Sequence, residues 1–205
     1  MLHTLRFGAS ETPDGVLRAM FAARKSVFVD LLKWDVPVID GRYEVDQFDD
    51  EHATYLVLVD RAGRHLGSAR LLPTTRPHIL GSFYPQLCED GPPCGADILE
   101  VTRFCLDRGL RARERRAVRD TLVTALADHA LDQGIAAYSA IAEMGWFQQI
   151  LAFGWRCIPL GLPQRIGGEM LAALRIDIAE DTPQRLSVAG IRSAATLVGG
   201  EREAA

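Results

Sequence analysis

"ATYLVLVDRAGRHLGSARLLP" (residues 53–73) holds two strand-length apolar runs on either side of the turn-forming tetrapeptide RAGR (61–64). That arrangement predicts an antiparallel hairpin. Upstream, PDGVLRAMFAARKSVFVDL (13–31) places Val16, Met20, Ala23, Val27 and Leu31 at helical spacing. Between helix and hairpin, Leu32–Glu51 carries Pro37 and Gly41 and reads as a long loop. Such loops in compact domains are usually functional or disordered.

Downstream, residues 74–96 are rich in Pro and Gly, with one short helix expected near Phe83–Leu87. ADILEVTRFCLD (96–107) reads as a strand with polar residues on one face. Residues 114–133 form a second helix with Val118, Leu122, Leu126 and Leu131 as its apolar stripe. IAAYSAIA (135–142) is a strand, EMGWFQQILAFG (143–154) a short helix ending at a glycine, and WRCIPLG (155–161) and EMLAALRIDI (169–178) are strands. The order predicts an α/β fold: one domain over residues 1–195, with helices on both faces of a mixed sheet. Residues 196–205 are expected to be a frayed tail.

A chain of 205 residues can bury its own core, and 48% hydrophobic with 24% charged residues is a globular balance. A net charge of −4 argues against nonspecific nucleic-acid binding. MLHTLRFGAS (1–10) has no secretory apolar core, and no apolar run is long enough for a bilayer. Cys88, Cys94, Cys105 and Cys157 contain no C-x-x-C pair, so reduced thiols in the cytoplasm are expected. The five histidines make no H-E-x-x-H pair, and no metal site is expected. Neither a phosphate-cradling G-x-x-x-x-G-K-[ST] or G-x-G-x-x-G nor a G-x-S-x-G elbow is present.

What remains is a polar and aromatic set. YEVDQFDDEH (43–52) concentrates Glu44, Asp46, Asp49, Asp50 and Glu51, which repel one another unless solvent, a metal, basic side chains or a cationic substrate compensates. Arg24 and Phe28 share a helix face, with Trp34 just beyond. An arginine beside a core aromatic needs an acidic partner, which the acidic run could supply. Glu100 and Arg103 differ in parity on their strand and point to opposite faces unless a bulge intervenes.

ARKSVFVDLLKWDV (23–36) followed by YEVDQFDDE, with Glu44, Asp46, Phe48 and Asp49 in the pattern E-x-D-x-[FY]-D, resembles the signature of the acyl-homoserine-lactone synthases, the LuxI-type autoinducer synthases. The resemblance continues through Arg70 in GSARLLPT, Phe83 in GSFYP, and Glu100 with Arg103, over roughly residues 1–180. Leu31 departs from it, standing where many members carry a basic residue, and altered local packing is expected there.

The resemblance implies an N-acetyltransferase-like α/β/α sandwich with a mixed, largely antiparallel sheet. It implies a quorum-sensing acyltransferase that joins the acyl group of an acyl-thioester to S-adenosylmethionine, closes a lactone and releases methylthioadenosine. S-adenosylmethionine is then a substrate, and no cofactor is needed. Its sulfonium suits an acidic, aromatic pocket, for which Asp46, Asp49, Phe28 and Trp34 are candidates. Phe83 joins them through the resemblance, Arg70 gives structural or electrostatic support, and Arg24 or Arg103 could hold the substrate carboxylate. Glu100 is the first candidate for the general base and Asp46 the second.

Ala140 stands where a threonine goes with 3-oxo acyl groups in the family, so unsubstituted acyl groups are expected. Met144, Trp146 and Phe147 would complete the acyl pocket. Arg108, Arg115, Arg116 and Arg119 lie around the start of the second helix, where positive charge is unfavourable without a bound anion. They would meet the phosphate of acyl-CoA or dock an acidic acyl-carrier protein; the family favours the carrier protein. The competing readings are an acyl-CoA-dependent N-acyltransferase acting on another amine, and a non-catalytic domain that senses a cationic metabolite.

Overall fold

The computed structural model describes residues 1–7 and 14–193. The tail expected at 196–205 lies outside the described residues. The chain divides into two compact units, one built on Met1–Leu71 and Arg103–Val123, the other on Leu72–Thr102 and Thr124–Arg192.

In the first unit, β1 (Leu2–Arg6) pairs antiparallel with β4 (Thr54–Val59), and β4 with β5 (His65–Pro73), whose register sets Leu56 opposite Ala69. The hairpin therefore forms where the sequence places it. Tyr55, Leu56 and Val57 are all buried, so β4 is covered on both faces. Helix α1 (Asp14–Arg24) continues into a wider π-helical segment, Lys25–Leu31, which closes with Leu32 N–H donating to Val27 O and Trp34 N–H to Phe28 O.

The observed buried stripe is Leu17, Met20, Phe21, Arg24 and Phe28. Of the expected stripe only Met20 is buried: Val16, Ala23 and Val27 are half-buried and Leu31 is exposed. Within α1 the buried face is centred one position further on, at Leu17, Phe21 and Arg24, and the wider turn after Arg24 then changes the period for the last two positions.

The loop expected over 32–51 contains a ribbon, β2 (Val38–Ile39) against β3 (Tyr43–Glu44). Its turn uses Asp40 and Gly41, both at positive φ, as an Asp-Gly hairpin turn requires. At Gly67 on β5, a Cβ would come within 2.7 Å of Val118 and 2.9 Å of Leu122, so this glycine lets helix α3 (Ala112–Gln133) lie close to the strand. Val118, Leu122 and Leu126 form the stripe of α3 as expected. Ala130 continues it in place of Leu131, which is exposed because it falls one position past the repeat.

In the second unit, β6 (Ile98–Leu106) pairs parallel with β7 (Ala137–Glu143). β7 pairs antiparallel with β10 (Glu169–Asp177), which also carries β8 (Arg156–Pro159) and the unforeseen short strand β9 (Gln164–Ile166). Mixed pairing is therefore present within this unit. The Pro- and Gly-rich segment holds a short helix, α2 (Ile79–Phe83), and a tight turn at Pro85–Leu87. Helix α4 (Met144–Leu151) follows β7, and an unforeseen helix α5 (Thr182–Val188) follows β10. No helix among the described residues is long and apolar enough to cross a membrane.

Candidate active site

The charge gathered in YEVDQFDDEH is compensated within the chain. Three of its carboxylates meet three arginines, all inside the first unit. Arg24, 1% exposed on α1, donates from Nε to Glu44 and from both terminal nitrogens to Asp49, at 2.8 Å each. Arg70 on β5 reaches Asp46 at 2.6 and 3.0 Å and lies 2.8 Å from Asp49. Arg103 donates to Glu44 at 2.9 and 3.0 Å and to Asp46 at 2.7 Å. Three negative and three positive groups cancel, as buried charges must.

Local turns aim the carboxylates. Phe48 N–H donates to Asp46 Oδ1, Asp46 N–H to Asp49 Oδ2, and Tyr55 O–H to Asp49 Oδ1. Burial pushes the Asp49 carboxyl up, but the Arg24 hydrogen bond and charge, Arg70 and the Asp46 amide together hold it well below the usual carboxylate range. Burial and the Asp49 charge raise the Tyr55 phenol. Asp50 and Glu51 stand outside this network: Asp50 accepts from His52 N–H, and the Glu51 side chain is 81% exposed.

Phe28 and Trp34 stack at 4.7 Å with their planes 13° apart. The Arg103 guanidinium sits 5.6 and 5.7 Å from the two ring centroids. Phe28 is buried and Trp34 is 37% exposed, so the indole is the open end of the stack. Arg103 adopts φ 50° in mid-strand, a conformation rare for a residue other than glycine. This breaks the regular alternation of β6, so strand parity does not govern where Arg103 points. Arg103 Nη1 carries no bond to a described residue, whereas each Arg24 nitrogen is committed to a carboxylate.

Arg24, Phe28, Trp34, Asp46, Asp49, Arg70 and Arg103 are thus brought together. Glu44 and Tyr55 belong with them although the sequence reading gave neither a site role. The alternation Glu44-x-Asp46 on a strand end was the available signal for Glu44.

In the second unit, Glu100 is fully buried and accepts from Ile79 N–H at 2.8 Å and Leu80 N–H at 2.9 Å, capping the start of α2. Phe83, at the other end of α2, is 51% exposed with its ring 6.4 Å from Tyr84. Parallel pairing sets Glu100 opposite Ser139 and Val101 opposite Ala140. Ala140 therefore lies on the other face, with Tyr138, whose hydroxyl donates to Leu126 O. On α4, Phe147 is buried, while Met144 and Trp146 are half-buried.

The arginines around the start of α3 differ in freedom. Arg108 is exposed, and so is Arg116, whose Nε lies 3.8 Å from Asp120. Arg115 donates to Asp107 O, and Arg119 donates to Asp120 at 2.6 Å.

An autoinducer synthase family model matches residues 9–186. An acyl-homoserine-lactone synthase of Ralstonia solanacearum is 32% identical over 204 residues, covering 97% of this chain and 98% of that protein. BjaI, a CoA-dependent acyl-homoserine lactone synthase whose structure holds SAM and isopentyl-CoA, is 33% identical. Its TM-score is 0.82, with 94% of this chain and 90% of that one covered. An acyl-CoA N-acyltransferase from Pseudomonas aeruginosa shares the fold, with a TM-score of 0.60 at 14% identity over 85% of this chain and 97% of that one. With these likenesses spanning nearly its whole length, the chain belongs to the autoinducer synthase family.

Proposed function

We propose that this chain is an acyl-homoserine-lactone synthase, acting as one domain over residues 1–195 in the cytoplasm, where its two substrates are made. The observation that carries this reading is the Phe28–Trp34 stack joined through Arg103 to the carboxylates of Glu44 and Asp46. The exposed indole suits the sulfonium of S-adenosylmethionine, with the carboxylates of Glu44 and Asp46 nearby behind Arg103. Arg103 Nη1 suits its carboxylate better than Arg24, which is 1% exposed with each nitrogen already donating to a carboxylate. Asp49 and Arg70 then act as support behind the pocket.

The substrate ammonium first gives up one proton to solvent through Glu100; the neutral amine nitrogen then attacks the thioester carbon and sheds a second proton to Glu100. The C–N bond forms, the C–S bond breaks, and the thiol leaves carrying the proton. The substrate carboxylate next displaces the sulfonium, closing the lactone and freeing methylthioadenosine as a neutral thioether. Ring closure within one molecule depends on geometry and needs no further cofactor.

Acyl-CoA is the first donor to test because BjaI is CoA-dependent, and acyl-carrier protein the second. Arg108 and Arg116 are the docking cations in either case, and acyl groups unsubstituted at the third carbon are expected beside Ala140. The test is incubation with S-adenosylmethionine and straight and branched acyl groups on both carriers, with products identified by mass spectrometry. Lactone and methylthioadenosine should form in equal amounts. Acyl transfer without methylthioadenosine would instead make the chain an N-acyltransferase for another amine.

A further inference from the structure

Ser139 lies directly across from Glu100 on the neighbouring parallel strand, so the two side chains share a face of the sheet. It is 0% exposed, and its hydroxyl has no hydrogen-bond partner among the described residues. Across β10 its neighbour on that face is Arg175, whose Nε donates to Asp177, and two residues along Ile141, opposite Ala173, packs in an apolar cluster with Leu80 and Leu87. A buried hydroxyl without a partner disfavours folding, and alanine would fit the same place without that cost. The neighbouring buried hydroxyl, on Tyr138, is satisfied by Leu126 O. The unused hydrogen bond of Ser139 therefore points to a ligand.

We propose that Ser139 is a catalytic residue that donates its O–H to the thioester carbonyl oxygen of the acyl donor and stabilises the oxyanion formed there. This rests on the lactone-synthase reading with Glu100 as base. Adjacent strands lie about 4.8 Å apart. An amine within hydrogen-bond reach of Glu100 attacks a carbon about 3 Å away, which sets the carbonyl oxygen over the next strand. When the C–N bond forms, the carbonyl π pair moves to that oxygen, and Ser139 donates to it. When the pair returns, the C–S bond breaks, the thiolate takes the proton released by the amine, and Ser139 keeps its own. The water-excluded setting strengthens such a donor.

The test compares wild type, Ser139→Ala and Ser139→Cys on an unsubstituted and a 3-oxo acyl-CoA with S-adenosylmethionine. Loss of one oxyanion donor should lower kcat about 100-fold in Ser139→Ala, with KM for both substrates nearly unchanged. Its Tm should equal or exceed that of wild type, because the orphaned hydroxyl is gone. Ser139→Cys, near in size but a weak donor, should keep the wild-type Tm and recover little activity. A wild-type kcat in Ser139→Ala would overturn the proposal. So would a loss confined to donors with an oxygen on the third acyl carbon, or a fall in Tm that accounts for the loss. If wild type itself forms no lactone, the lactone-synthase reading fails first; if it does and Ser139→Ala matches it, only the oxyanion role fails.

Discussion

Asp49→Asn isolates what the buried charge network is worth. Asp49 Oδ1 accepts from Arg24 Nη1 at 2.8 Å and Tyr55 O–H at 2.9 Å, and Oδ2 accepts from Arg24 Nη2 and the Asp46 amide at 2.8 Å each. Every neighbour is a donor. An asparagine keeps one acceptor oxygen and turns an NH2 group toward Arg24 Nη2 and the Asp46 amide or, flipped, toward Arg24 Nη1, Arg70 Nη1 and the Tyr55 hydroxyl. It also leaves the cluster with one uncompensated positive charge. Breaking a buried pair in this way costs about 3–5 kcal/mol. At about 2–4 °C per kcal/mol for a chain of this size, Tm should fall by roughly 6–20 °C.

The same substitution has a pH signature. The folded-state pKa of Asp49 is depressed, so its stabilisation is fully present above the unfolded value of about 3.9 and is lost as pH falls through the folded one. Wild-type Tm should therefore decline as pH is lowered below about 4, and Asp49→Asn should lack that part of the decline. Thermal melts between pH 3 and pH 7, followed by circular dichroism, measure both effects. A variant with wild-type Tm and a wild-type acid limb, but a raised KM for S-adenosylmethionine, would refute the reasoning and make Asp49 a substrate ligand.

Glu100→Gln should cost about 1–3 kcal/mol, seen as a lower Tm, because its NH2 must face one of the two α2 amides that now donate to carboxylate oxygens. A base role adds a fall in kcat of about 10²–10⁴ and removes the acidic limb of the pH–rate profile, which a cap alone would leave in place. Trp34→Ala should shift Tm little, since the indole is 37% exposed, while weakening S-adenosylmethionine binding several-fold by calorimetric titration; unchanged binding would remove the indole from the pocket. Burial pushes the buried His65 imidazole down to about 4, against the charge of Asp107. Between the ordinary value near 6.5 and about 4 the unfolded chain takes up the proton first, so wild type should lose stability as pH falls through that window. His65→Gln should flatten the melting curve there, and a slope equal to that of wild type would show that another group titrates.

Much of the architecture was legible because local chemistry specifies it. The 53–73 hairpin, the strand through Glu100 and the α3 helix follow from apolar spacing and turn residues, which act over a few positions. The β2–β3 ribbon was legible too, in Asp40-Gly41, but Pro37 and the polar composition weighed the segment toward loop. Short strands such as β9 leave too few residues for a period to register. The π-helical widening after Arg24 has no residue signature comparable to a proline or a cap, so the end of the stripe, at Val27 and Leu31, was misplaced.

By itself, the sequence determined most of the elements that form and, through its resemblance to a family signature, that Arg24, Phe28, Trp34, Asp46, Asp49, Arg70 and Arg103 belong to one pattern. Only the tertiary structure decided how their charges pair. Arg103 and Glu44 are 59 residues apart, and a charge so distant in sequence can meet any of several partners until the strands are registered. Register also decided that Ser139, rather than Ala140, shares the face of Glu100, since a shift of one residue would exchange them. Spacing along the chain names the participants; packing in three dimensions assigns their partners, because electrostatic and hydrogen-bond energies depend on distances that only the folded chain defines.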